Sequence, residues 1–247
     1  MEFTRAVPPG PAASPEACYT GLDLGATAPA DRPYVVCNFV SSVDGRATAQ
    51  GRTALLGGEG DRTAFHLLRT QVDAVLAGTG TLRVERYGVI IRTAELEQIR
   101  VAEGRAAQPL AVVISRSGDI PFDIPLFADP RSRVALYAPP ETVVPAGAAE
   151  VNRHAPEEVG EGLGGVLRSL RQRHGVRSLL CEGGPALFTS LLAEDLVDEL
   201  FLTLAATLVG GDELQMTSGR TLPELLALRL VWALEREGNL FLRYSRR

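Results

Sequence analysis

From about residue 33 onward, short apolar runs alternate with segments whose apolar residues recur at helical spacing. The runs predict buried strands at 34–40, 73–77, 110–114, 133–137 and 178–181. The helical spacing, together with Gly or charged residues at the ends, predicts helices at 59–72, 93–104, 159–170 and 186–192. Strands and helices are therefore expected to follow one another along most of the chain.

This alternation predicts an α/β fold with a mixed, mostly parallel central sheet flanked by helices. A mostly extended segment is expected at 197–209, and two further strands at 229–236 and 240–244 flank the turn residues 237–239. We therefore expect a C-terminal antiparallel hairpin. Residues 1–32 are rich in Pro, Ala and Gly without sustained periodicity, so we expect an extension that wraps the surface or is partly disordered. Residues 33–247 are expected to form a single domain.

Composition narrows the class of protein. Hydrophobic residues make up 45% of the 247 residues and the net charge is only -5, which excludes a disordered chain and argues against a general nucleic-acid binder. Apolar runs of about 18 residues are absent, and the N-terminus lacks a signal-peptide pattern. The three cysteines, an odd number without close spacing, fit a reducing compartment, so a cytoplasmic protein without a membrane partner is expected.

Two features of the charged residues limit the chemistry. All 25 basic residues are Arg, which excludes a Schiff-base or P-loop lysine and leaves only Arg to hold a phosphate by charge. The three His residues are far apart in sequence, and neither they nor the cysteines follow a metal-binding spacing. No metal site is expected.

Three predicted strands end in small or polar residues. The turns comprise 78–81, 115–117 and 182–185. In open α/β sheets ligands bind at the carboxyl ends of strands, and Gly-rich turns leave backbone N–H groups free for phosphate. Each turn by itself is more often an ordinary connection, so a nucleotide site and plain turns both remain open. The hydroxyls and guanidinium at Ser115, Arg116 and Ser117 suit a ribose 2′-phosphate and so favour NADPH over NADH.

Five motifs in order resemble the RibD C-terminal, or pyrimidine reductase, family. They are Arg32-Pro33-Tyr34 followed by Ser42-Val43-Asp44-Gly45, the run His66–Thr70, the run Asp73–Thr81, Glu182-Gly183-Gly184-Pro185-Ala186-Leu187, and Leu196–Leu200. Order and spacing match from about residue 32 to the C-terminus. Upstream of the first motif there is no zinc-deaminase pattern, so the resemblance is to a stand-alone form.

The resemblance implies a dihydrofolate-reductase-like fold and an activity. Members of this family reduce the ribosylamino group of a phosphoribosylaminopyrimidine, such as 5-amino-6-(5-phosphoribosylamino)uracil, with NADPH in riboflavin biosynthesis. It also implies a small-molecule substrate and a homodimer. Two alternatives stay open: a pterin or dihydrofolate reductase on the same fold, and a non-catalytic NADPH-binding protein.

The resemblance further assigns residues to roles. Asp44 and Glu182 are expected at the catalytic centre. The cofactor is expected to contact Val40, Leu55, Gly78, Thr79, Gly80, Thr81, Glu85, Ser115, Arg116, Gly183, Gly184, Pro185, Ala186 and Leu187. The substrate is expected to contact Asn38, Thr53, Arg69, Arg92 and Glu182, with Arg69 at the ribose phosphate and Glu182 at the pyrimidine.

Some residues depart from the family pattern or have a simpler explanation. The segment Leu82–Arg92 lacks the family's Asp-Pro pair, and Leu55 stands where a Trp is common. Asp44, which precedes a Gly, can simply fix a turn. An Arg on a helix, like Arg69, is usually a solvated residue. These departures leave the exact substrate open.

Overall fold

The computed structural model describes residues 1–219 and 221–247, without the side chain of residue 157. Its strands, in chain order, are β1 (Phe3–Val7), β2 (Gly10–Ala13), β3 (Tyr34–Ser42), β4 (Ala74–Gly78), β5 (Leu110–Ile114), β6 (Arg133–Tyr137), β7 (Glu150–His154), β8 (Ser178–Cys181), β9 (Glu199–Ala205), β10 (Leu228–Arg236) and β11 (Asn239–Arg246). Its helices are α1 (Pro15–Tyr19), α2 (Ala54–Thr70), α3 (Thr79–Glu85), α4 (Ala94–Ala102), α5 (Pro125–Ala128), α6 (Pro156–Val159), α7 (Gly162–His174) and α8 (Pro185–Ala193). The predicted mixed α/β fold, with a central sheet flanked by helices, is confirmed.

The chain divides into two compact units, each built from separate segments. The first unit comprises Met1–Thr20, Val35–Leu68 and Pro185–Arg247, and the second comprises Gly21–Tyr34 and Arg69–Gly184. The single domain expected over 33–247 stays a prediction beside this division into compact units. Apolar periodicity marks elements along a chain, whereas a compact unit depends on which distant segments pack together.

The first unit has the strand order β2-β1-β10-β11-β9-β3. Its pairs are antiparallel except β9 with β3, which are parallel. The predicted C-terminal hairpin is confirmed, since β10 pairs with β11 from Leu228↔Arg246 to Arg236↔Asn239. The second unit has the order β8-β4-β5-β6-β7, with parallel pairs from β4 outward on both sides.

The N-terminal segment is more regular than its composition indicated. β1 pairs with β10, and Phe3 is completely buried, with its ring 4.6 Å from that of Phe241. Tyr19 at the end of α1 packs edge-on against Trp232 at 5.4 Å. Aromatic burial against distant strands therefore orders a segment that has no periodicity of its own.

Other differences from the predicted elements have local causes. The sequence analysis placed no strand at β7, because its residues EVNRH are mostly polar and exposed at the outer position of the second unit's strands. Helix α2 is interrupted at Gly58, whose φ of 64° lies in the left-handed region that glycine adopts readily. The regular part of α2 after Gly58 corresponds to the helix predicted from residue 59. Within the described residues, no helix has the length and apolar character needed to cross a membrane.

Candidate active site

In the second unit, Arg69, Tyr87 and Glu182 form a buried cluster, here named the carboxylate cluster. Arg69 lies in the last turn of α2, and Glu182 follows β8 directly. The Arg69 guanidinium binds the Glu182 carboxylate with two bonds, Nε to Oε1 at 2.6 Å and Nη2 to Oε2 at 2.7 Å. The Tyr87 hydroxyl donates to Oε2 at 2.6 Å. Two substrate-binding residues of the sequence analysis are thus brought together and bonded to each other.

Backbone bonds hold each end of this cluster. The Glu182 N–H donates to the carbonyl of Leu76 in β4 at 2.9 Å, which fixes the residue at the strand end. Arg69 Nη1 donates to the carbonyl of Ile90 at 3.2 Å. The segment around Ile91 is itself fixed, because Gln108 accepts from its N–H at 2.9 Å and donates to its carbonyl at 2.8 Å. The cluster is therefore rigidly supported within the second unit.

Burial and charge set the protonation states in the cluster. Burial opposes the charge of Arg69, but the adjacent Glu182 carboxylate more than compensates and raises the pKa of the guanidinium. Burial, with the negative Glu182 beside it, raises the pKa of the Tyr87 phenol well above its usual value. Arg69 is therefore a permanent cation, and Tyr87 remains a hydrogen-bond donor.

The two Gly-rich turns of the sequence analysis adjoin one another in the second unit. Gly78 precedes α3 without a capping side chain in the described chain, so Thr79, Gly80 and Thr81 hold the first amides of that helix. The Gly78 N–H donates to the Gly183 carbonyl at 3.0 Å. A Cβ on Gly80 would meet no atom within 4 Å, so open space lies beside this turn. The first amides of α3, which lack a helical acceptor, therefore lie beside open space.

The remaining predicted residues of the second unit lie at element ends. Ser115 is buried after β5, and its N–H donates to the Tyr137 carbonyl at 2.9 Å. Arg116 and Arg92 are exposed, whereas Glu85, the last residue of α3, is half-buried.

In the first unit, Asp44 anchors a loop. Its carboxylate accepts bonds from the Ser42 hydroxyl at 2.6 Å, the Val209 N–H at 3.0 Å and the Gly210 N–H at 2.7 Å. These three donors, the Ser42 hydroxyl foremost, hold the pKa of Asp44 far below its usual value. The carboxylate is therefore an anion near neutral pH and not a proton donor. Its bonds fix the turn formed by Asp44 and the next residue, Gly45.

The other predicted residues of the first unit lie on β3, α2 and α8. Asn38 is half-buried in β3, and Val40 packs in a small core with Leu56 and Ala205. Thr53 and Leu55 are exposed at the start of α2. The three residues that open α8 are partly or fully exposed; they are Pro185, Ala186 and Leu187.

Sequence reasoning missed Tyr87. It lies in the segment Leu82–Arg92, of which the sequence analysis assigned Glu85 and Arg92 to the site and noted that the family's Asp-Pro pair is lacking. The available signal was a tyrosine among apolar and charged neighbours in sequence. A buried tyrosine hydroxyl usually has a hydrogen-bond partner. Its partner Glu182 is 95 residues away in sequence, so spacing alone could not join the two.

The chain matches a known protein family over most of its length. The family model described as the RibD C-terminal domain matches residues 33–238. A protein of Archaeoglobus fulgidus named 2,5-diamino-6-ribosylamino-4(3H)-pyrimidinone 5′-phosphate reductase is 34% identical over 185 residues, which cover 73% of this chain and 83% of that protein. A protein of the same name from Methanothermobacter thermautotrophicus is 30% identical, over 81% of this chain and 90% of its own.

The fold also matches a solved structure. A pyrimidine reductase-like protein from Corynebacterium diphtheriae superposes with a TM-score of 0.76 at 21% identity, covering 95% of this chain and 99% of its own. At that sequence identity the likeness shows the fold alone.

Proposed function

Because the chain belongs to the RibD C-terminal domain family, we propose that it is an NADPH-dependent oxidoreductase. Its reaction is the reduction of the ribosylamino group of a phosphoribosylaminopyrimidine to a ribitylamino group, and the archaeal relatives are named as reductases of a ribosylaminopyrimidinone phosphate. The observation that carries the proposal is the pairing of Arg69 with Glu182 in the same unit as two adjoining Gly-rich turns. We also propose that this biosynthetic enzyme acts in the cytoplasm.

The cofactor is proposed to contact the second unit through backbone and hydroxyl groups. The amides and hydroxyls of Thr79 and Thr81 bind the pyrophosphate, beside the open space at Gly80. Gly183 and Gly184 let a ligand approach the backbone closely. Exposed Arg116 pairs with the 2′-phosphate and so favours NADPH over NADH.

Further cofactor contacts are carried over from the family resemblance. Glu85 and Ser115 belong to the second unit, and the others to the first unit: Val40 through its backbone, Leu55, Pro185, Ala186 and Leu187. When bound, NADPH would supply a hydride to the substrate's reducible carbon, and solvent water would supply the proton taken up by the adjoining nitrogen. The protein's own part is positioning, which by itself accounts for a large share of such rate enhancements.

The substrate is proposed to be held at its two polar ends. Glu182 accepts an N–H of the pyrimidine, and Arg69 orients that carboxylate through its two bonds. The described bonds of Arg69 go to protein atoms, whereas Arg92 is exposed. We therefore propose that Arg92 makes most of the contact with the phosphate and that Arg69 contributes its positive charge. Asn38 and Thr53 are further substrate contacts carried over from the family resemblance, and Asp44, an anion, is carried over from it as a catalytic residue.

The test is NADPH oxidation by the purified protein, followed by absorbance. We expect turnover with a phosphoribosylaminopyrimidine, slower turnover with NADH, and none with dihydrofolate. Turnover only of dihydrofolate would favour a pterin reductase on this fold. Binding of NADPH without turnover of any of these substrates would favour a non-catalytic protein and contradict the proposal.

A matched variant sharpens this assay. Arg92→Gln keeps size and polarity but removes the charge, so we expect the KM for the phosphorylated substrate to rise by about tenfold or more while the KM for NADPH is unchanged. Arg83→Gln is the control, because Arg83 is an exposed arginine of the same segment whose partner is Asp119 at 2.9 Å. Equal effects from both variants would argue against a phosphate contact at Arg92.

A further inference from the structure

The hydrogen bonds of the Glu182 carboxylate are unequally divided between its two oxygens. Oε1 accepts one bond, from Arg69 Nε, whereas Oε2 accepts two, from Arg69 Nη2 and from the Tyr87 hydroxyl. An ionised carboxylate offers about four acceptor positions, two on each oxygen. Bonds from the described residues therefore use three of these positions, and the fourth lies on Oε1.

Tyr87 is the source of this asymmetry. Arg69 alone forms the symmetric two-pronged pair that guanidinium and carboxylate groups usually make, with one bond to each oxygen. The phenol adds a third donor, and only to Oε2. Its ring also lies 5.3 Å from the Arg69 guanidinium carbon, so packing holds the hydroxyl in this position.

The Glu182 side chain is also poorly accessible to a ligand. Only 2% of its side chain is exposed, and Arg69 is similarly buried. A ligand can therefore reach Glu182 over a small area, which suits a single hydrogen bond rather than a pair.

We propose that Tyr87 is a specificity-determining positioning residue that limits Glu182 to one hydrogen bond from the substrate's pyrimidine ring. The inference rests on the proposed function and adds to it the class of pyrimidine that is accepted. A ring edge with a single N–H donor fits the one free position on Oε1. A ring edge with two parallel donors needs an acceptor on each oxygen.

The two pyrimidines of this reaction class differ in that respect. In the uracil form, ring N3–H lies between two carbonyl groups and is the only donor of its edge. In the 2-amino form, N3–H stands beside the amino group, and the two parallel N–H bonds match both oxygens of a carboxylate. With Oε2 already saturated by Tyr87, the amino group would be buried without an acceptor, which costs binding.

The protein is therefore expected to prefer the uracil over the 2,5-diaminopyrimidinone that its archaeal relatives are named for. Pterins carry the same 2-amino edge and are disfavoured for the same reason. The measurement is kcat/KM for 5-amino-6-(5-phosphoribosylamino)uracil and for the diaminopyrimidinone with the wild-type protein. We expect a ratio of about ten or more in favour of the uracil, the usual consequence of one unpaired buried donor.

The variant Tyr87→Phe removes the hydroxyl and keeps the ring. It frees an acceptor position on Oε2, so we expect the ratio to fall by about tenfold, while the KM for NADPH stays the same. Tyr137→Phe is the matched control, since Tyr137 is a buried tyrosine of the same unit whose hydroxyl bonds Ser169 at 3.1 Å. Tyr137→Phe should lose a similar free energy of unfolding and keep the wild-type ratio of kcat/KM between the two pyrimidines.

A wild-type preference for the diaminopyrimidinone, or an unchanged ratio in Tyr87→Phe, would overturn the inference. If neither pyrimidine is reduced, the proposed function fails, and calorimetric dissociation constants of the two pyrimidines then decide the inference separately. A binding ratio that favours the uracil and falls in Tyr87→Phe upholds it. Equal binding of the two, or binding of neither, overturns it together with the function.

Discussion

His154 and His174 bring their Nε2 atoms to 3.0 Å of each other in the second unit, although 20 residues separate them. Arg173 lies 3.4 Å from Nδ1 of His154 and can only donate, so this nitrogen accepts and the ring carries its proton on Nε2. His154 then donates to His174, and both rings are neutral. Burial foremost lowers the pKa of both rings. At His154 the His174 ring and Arg173 add to it despite Glu158, and at His174 Arg133 and Arg173 add to it despite Glu150.

This pair predicts the direction of a pH effect on stability. A histidine whose pKa is lowered by folding binds fewer protons in the folded state than in the unfolded state, so its stabilising effect is complete above about pH 6.5 and is lost as the pH falls. We expect Tm to decrease by a few degrees, about 2–5 °C, between pH 7.5 and pH 5.5. Thermal unfolding followed by circular dichroism measures it.

The control is the double variant His154→Gln and His174→Gln. Glutamine retains hydrogen bonding without titrating, so the dependence of Tm on pH in this range should become flatter. A slope equal to that of the wild-type protein would assign the effect to other groups.

Among the elements, α2 ends against α4 rather than in a glycine cap. Arg100 of α4 is buried, and its Nη1 donates to the carbonyls of Arg69 and Thr70 at 3.1 Å and of Val72 at 2.7 Å. Burial, with Arg105 nearby, lowers the pKa of Arg100 to about 10, which leaves it charged at neutral pH. Arg100 therefore donates to the carbonyls at this helix C-terminus, and it fixes the turn that carries Arg69.

Replacing Arg100 should destabilise the folded protein. Arg100→Met keeps much of the apolar stem but leaves three buried carbonyls without their donor, so we expect a loss of about 2–4 kcal/mol in the free energy of unfolding. Urea denaturation measures this loss. In the exposed pair with Asp119, Arg83→Met should cost less than about 1 kcal/mol. Equal losses would show that the carbonyl bonds contribute little.

On the scale of the whole molecule, the family resemblance implies a homodimer, which we retain as a proposal. The first unit carries an apolar groove of about 570 Å³. Its rim includes Leu222 and Pro223, and beside them Leu225 is fully exposed. Apolar surface of this kind is a feature of contact sites between proteins.

Sedimentation at micromolar concentration tests this proposal. We expect a dimer for the wild-type protein and a shift toward monomer for Leu225→Asp, because a charge in an apolar contact is left unpaired. Val143→Asp is the control, since Val143 is 81% exposed in the second unit, away from the groove residues in sequence. A wild-type monomer, or a dimer that survives Leu225→Asp as well as the control, would contradict the proposed interface.

The sequence by itself determined the alternation of elements and the family. The apolar runs at β3, β4, β5, β6 and β8 are local signals, and the turn at 237–239 fixes the C-terminal hairpin, so each can be found without knowing what packs against it. The motifs around Asp44, Gly78 and Glu182 were equally visible, because they are short and contiguous.

The tertiary structure alone decided what those residues are bonded to. Phe3 is ordered by Phe241, and Asp44 by amides 165 and 166 residues away. Tyr87 and Arg69 meet Glu182 only in the folded second unit, where burial removes competing water and turns separate side chains into one hydrogen-bonded group. Spacing along a chain carries no information on such contacts, since they depend on how distant elements pack.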